Sequence, residues 1–85
     1  ILFALGRSAE AVARHAQAAD YYLRAALAAG APRSDAAALQ ARLAAALNLA
    51  RAGYREDARA QFEWVLRHSK DSAQLEIARR ALSRL

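Results

Sequence analysis

Residues 53–65 read Gly53-Tyr54-Arg55-Glu56-Asp57-Ala58-Arg59-Ala60-Gln61-Phe62-Glu63-Trp64-Val65. Ala58, Phe62 and Val65 stand at i, i+4 and i+7, one face of a helix that starts just after a turn glycine. Forty residues earlier Ala18, Tyr22 and Ala25 repeat the spacing. In both copies a small residue precedes an aromatic by one helical turn, and an apolar helix runs upstream. Repetition at this period predicts stacked helix pairs, because one pair alone cannot bury its apolar face.

Punctuation extends the pattern in both directions. Leu2, Leu5, Ala9 and Val12 share one face of a first helix over 1–13, and Ala18, Tyr22, Ala25 and Ala29 one stripe of a second over 16–29. Between them Arg14-His15-Ala16 holds no Gly or Pro, so a turn there competes with one unbroken helix to Ala29. Gly30, Pro32 and then Ser34 or Asp35 form a stop, a breaker and a cap. A third helix follows over 36–52 with Leu39, Leu43, Ala46, Leu47 and Ala50 as its buried stripe, and Gly53 ends it. The fourth runs over 55–69 with Leu66 joining Ala58, Phe62 and Val65. Asp71 caps a fifth, over 73–85, with Gln74 placed to reach back. Its apolar face is Leu75, Ala78, Leu82 and Leu85.

Composition agrees with an all-α chain. The 85 residues are 56% apolar, dominated by alanine, and contain no threonine. Alanine is the best helix former, and little here would build a sheet. Absence of cysteine removes disulfides and thiolate metal sites and leaves the cytosol and the periplasm equally open as compartments. No run approaches the ~20 apolar residues of a membrane span. The first residue is Ile1 rather than Met, and the expectation from this is a fragment or processed product.

Net charge is +5. The arginines are spread and interleaved with acids, and only Arg79, Arg80 and Arg84 cluster, so a nucleic-acid surface is the weaker reading of the charge. His15 and His68 lack ligand-spaced partners and read as surface residues. Glu56 and Asp57 point about 100° apart at a helix start, where they complement the macrodipole. With no phosphate loop or nucleophile elbow either, the chain reads as a non-enzyme with no catalytic residue, metal or cofactor.

These residues resemble the tetratricopeptide repeat. In the second copy Gly53 matches the turn, Ala58 the second-helix alanine and Phe62 the aromatic, with Val65 where alanine is usual and Ala45-Ala46 for Leu-Gly. In the first, Leu5-Gly6 matches Leu-Gly, Ala18, Tyr22 and Ala25 match the second helix, and Ala13 stands at the turn glycine. Arg79-Arg80 replaces Leu-Gly in helix five, which resembles a solvating cap. The tail after the last repeat is weakly similar to bacterial envelope members of the family. The resemblance implies a single domain over 1–85: a right-handed stack of antiparallel hairpins at 1–29 and 36–69, with a cap helix at 73–85. About two repeats lie near the lower limit for independent stability.

The function implied is protein–protein interaction, as a scaffold or adaptor that binds a peptide or helix in a concave groove. The alternatives are a homo-oligomerisation module and a basic nucleic-acid-binding domain. By position the groove would hold Phe3, Arg7 and Glu10 from helix one, Gln40, Leu43, Leu47 and Arg51 from helix three, and Gln74 from helix five; Leu43 and Leu47 fit equally well as core. The family's carboxylate clamp has Lys and Asn where Phe3 and Arg7 stand, so chaperone tails are disfavoured and an acidic or amphipathic partner suits Arg7 and Arg51. Trp64, about 200° from Phe62 around the helix, either packs on helix five or forms a second contact surface.

Overall fold

The computed structural model describes residues 1–28 and 35–85. The described residues form five helices: α1 (Leu2–Ala11), α2 (His15–Ala26), α3 (Ala36–Arg51), α4 (Arg55–His68) and α5 (Ser72–Ser83). No described residue is in a strand. Each helix packs on the next, and α3 also touches α5. Ala29, Gly30, Pro32 and Ser34, read as stripe, stop, breaker and cap, lie outside the described residues.

Two turns are built alike. After α1, Ala13 N–H donates to Glu10 O (3.0 Å) and Arg14 N–H to Ala9 O (2.9 Å). After α3, Gly53 N–H donates to Ala50 O (3.1 Å) and Tyr54 N–H to Leu49 O (2.9 Å). These are the paired bonds of a Schellman motif, which requires a left-handed residue at its fifth position. Gly53 supplies it with φ 92° and Ala13 with φ 60°. The chain therefore breaks between α1 and α2 without a glycine, at residues 12–14, and the unbroken helix to Ala29 is excluded.

Asp35 and Asp71 start α3 and α5, each accepting from two backbone N–H groups of the first turn. Glu56 and Asp57 lie in the first turn of α4, as read.

One core cluster joins Leu43, Ala46 and Leu49 of α3 to Ala58, Phe62 and Val65 of α4 and Ala78 of α5. A second joins Ala9, Ala18, Tyr22 and Ala45. Phe62 and Val65 are fully buried. Leu39, Leu43 and Ala46 are buried as the α3 stripe requires, while Leu47 and Ala50 are half-buried. Ala38, Ala41, Ala45, Asn48 and Leu49 are buried as well, because α3 has α2, α4 and α5 on different sides.

The ends of the chain depart from their stripes. In α1 the buried residues are Gly6 and Ala9, whereas Leu5 and Val12 are exposed, because among the described residues α1 packs mainly on α2. In α2 the stripe is Ala18, Ala19, Tyr22 and Ala26, and Ala25 is only half-buried. In α5 only Gln74 and Ala78 are fully buried, since one side of this helix has no neighbour among the described residues.

Gly6 is required by its surroundings. A Cβ built there would meet Tyr22 Cε1 at 2.7 Å. The bare backbone lets the Tyr22 ring approach α1 closely, with Phe3 tilted against it at 5.0 Å between ring centroids. Ala46 holds the matching place in the cluster that contains Phe62.

Candidate functional site

The structure distributes the expected groove residues over two depressions and the interior. Leu47 and Arg51 line a depression of about 470 Å³ between the C-terminal ends of α3 and α5. Its apolar surface comes from Leu47, Ala50, Ala81 and Leu85 over the buried Phe62, and its rim carries Arg51, Arg55 and Arg84. Phe3 and Gln40 line another, of about 460 Å³, with Asp35 and four alanines of α2 and α3. Arg7 lines neither and is exposed.

Three of the expected residues are taken up by the fold. Leu43 is 1% exposed and belongs to the core, because α3 is enclosed on that side by α4. Gln74 is 6% exposed. Its amide N–H groups reach Gln40 Oε1 (3.2 Å) and Ala36 O (3.4 Å), and its carbonyl accepts from Ser69 Oγ (2.6 Å). It ties α5 to the start of α3 instead of reaching back to its own cap; Asp71 N–H finds Ser69 Oγ at 3.1 Å.

Glu10 is the centre of a polar network. Its carboxylate accepts from Tyr22 OH (3.2 Å), Asn48 Nδ2 (2.8 Å) and, at the exposed edge, Arg51 Nη1 (3.4 Å). Asn48 is fully buried and also donates to Ala44 O (2.9 Å). With both amide N–H bonds used, its Oδ1 accepts from His15 Nδ1 at 2.9 Å, so that ring nitrogen carries the proton. His15 is thus half-buried and bonded, not a free surface histidine. Burial raises the Tyr22 pKa; the Glu10 charge and hydrogen bond add to the rise, and Arg7 opposes it.

Trp64 packs in a third way. It is half-buried, with the Arg42 guanidinium of α3 4.2 Å from its ring centroid and the His68 ring at 4.3 Å. Arg42 also donates to Gln61 Oε1 (2.8 Å) and so is held over the ring. Burial lowers the Arg42 pKa. The indole therefore seals α4 against α3, which favours packing over a contact role but assigns it to α3 rather than α5.

Arg55 and Arg84 escaped the sequence reading. Arg55 opens α4 and donates to Leu85 O (2.7 Å), closing the end of the depression. Arg84 follows α5 and is exposed. Only packing of α5 on α4 brings these two to Arg51, and the one signal in the sequence was the arginine cluster at 79–84. Among the described residues no group of His, Cys, Asp and Glu could hold a metal, and no helix is long and apolar enough to cross a membrane. No protein-family model, curated protein or solved structure matches the chain.

Proposed function

We propose that the chain is a tetratricopeptide-like module that binds an acidic, amphipathic segment of another protein. The fold reading is supported by two Schellman turns forty residues apart and by Tyr22 and Phe62 buried at matching places. The binding reading rests on the depression between α3 and α5. An apolar floor framed by three guanidinium groups suits a helix with leucine-like side chains on one face and carboxylates beside them. The floor supplies buried area, and Arg51 and Arg84 orient the ligand by charge-assisted hydrogen bonds. Glu10 is the one carboxylate paired with these arginines among the described residues, through a long contact to Arg51, so donors remain for a ligand.

The test is fluorescence polarisation with a labelled amphipathic helical peptide bearing glutamates, beside the same peptide with lysines. The acidic peptide should bind more tightly, and Arg51→Gln with Arg84→Gln should abolish that difference. The melting temperature should hold, since exposed charges contribute little to stability. Equal binding of the two peptides would remove the arginines from the reading. Tighter binding of duplex DNA, with a steep salt dependence lost in the same variant, would replace the partner by nucleic acid.

A further inference from the structure

Among the described residues no helix covers the outer face of α1. Ile1, Ala4, Leu5, Ser8, Ala11 and Val12 follow a helical stripe, all exposed and none charged. Gly6 and Ala9 face inward, and Leu5, Ser8 and Val12 edge a shallow depression shared with Gln17 and Tyr21 of α2. The forty-residue repeat shows what such a stripe does elsewhere in this molecule. Ile1, Ala4, Leu5 and Ser8 correspond to Ala41, Ala44, Ala45 and Asn48 of α3. That side of α3 is the one that docks on the first hairpin. Ala45 is fully buried in a cluster with Ala9, Ala18 and Tyr22, Ala44 packs against that cluster, and Asn48 bonds Glu10 and His15.

We propose that α1 pairs with α1 of a second copy, antiparallel about a two-fold axis. Head-to-tail stacking on the hairpins is closed, because the receiving face of the first is covered by α3 and that of the second by α5, through Ala78. The other outer helix faces are charged: Asp20 and Arg24 on α2, Arg59 and Glu63 on α4, Glu76 and Arg80 on α5. The charge-free stripe of α1 is therefore best matched by itself. It is also self-complementary. In an antiparallel register centred between residues 6 and 7, Leu5 of one copy meets Ser8 of the other. Large faces small twice across the axis, and Ile1 meets Val12 at the ends. A helix of ten residues spans about 15 Å, well short of the ~800 Å² per partner of a standard interface, so the dimer is weak.

Sedimentation velocity from about 10 µM to about 1 mM tests this, a range set by the affinity of so small an interface. The weight-average mass should climb from monomer towards dimer. Leu5→Glu should weaken association by about tenfold to a hundredfold, the equivalent of one leucine side chain left unburied. Val12→Glu, at a position 65% exposed, gives the same readout should Leu5→Glu melt early. Ile77→Glu, on α5 and 43% exposed, should leave association unchanged. A monomer throughout the range would overturn the proposal, as would a dimer indifferent to both α1 variants. Loss of the dimer in Ile77→Glu alone would place the contact on α5.

Discussion

Exchanging residues at the two Schellman turns gives opposite and separable outcomes. Ala13 holds φ 60° where its counterpart is glycine. A left-handed L-residue costs about 1–2 kcal/mol, which glycine avoids. Glycine in turn adds about 0.4–1 kcal/mol of unfolded-state freedom. Ala13→Gly should therefore stabilise by about 0.5–1 kcal/mol, or about 3–6 °C in melting temperature for a domain of this size. Gly53→Ala reverses the terms. A Cβ there meets nothing within 4 Å, so the loss, about 1 kcal/mol, comes from backbone strain and not from a clash. Urea denaturation followed by circular dichroism gives both values. The sign at Ala13 decides. In an unbroken helix from Leu2 onward, glycine at 13 would destabilise by about 0.5–1 kcal/mol. A loss of that size would refute the turn and with it the equivalence of the two hairpins.

Gly6→Ala should destabilise by about 1–2 kcal/mol in the same assay. A helix interior normally gains about 1 kcal/mol from this change, so any loss measures the 2.7 Å approach of Tyr22. Tyr22 should also make the protein sensitive to alkali. Its pKa is raised by burial and by Glu10, so the unfolded chain releases this proton near pH 10 while the folded chain still holds it. The stability gained is complete below about pH 10 and is lost as pH rises through the folded pKa. Tyr22→Phe should flatten that decline in urea melts taken from pH 9 to 11; an unchanged decline would assign it to other groups.

Helix boundaries were legible wherever the backbone needs a particular residue. Gly53, Asp35 and Asp71 each satisfy a defined set of backbone groups, and their helices begin or end where they stand. Ala13 carries no such mark; only the repeat spacing placed a turn there. The site was less legible for a different reason. Alanine occurs on every side of α3, so the sequence shows no contrast between a buried and an open face. Leu43 was therefore as good a groove candidate as Leu47, although one lies in the core and the other lines the depression. Arg55 and Arg84 belong to the beginning of one helix and the end of another. Their meeting depends on how α5 lies on α4, which no local pattern encodes.

The same shortage of contrast bears on how the hairpins find their register. Alanine faces are nearly uniform, and sliding one along another by a turn changes little buried area. A polar contact is different, because a misplaced donor is left unsatisfied at about 1–3 kcal/mol. Asn48 is a fully buried amide between Leu47 and Leu49, and its partners come from three helices: Glu10 of α1, His15 of α2 and Ala44 of α3. Only one alignment of α3 on the first hairpin satisfies all of them. That alignment also sets Arg51, one turn further along α3, beside Glu10 and on the rim of the arginine depression. Register and site geometry thus depend on the same buried side chain. The residues that looked most like surface ligands, Glu10 above all, hold the scaffold on which the arginines are displayed.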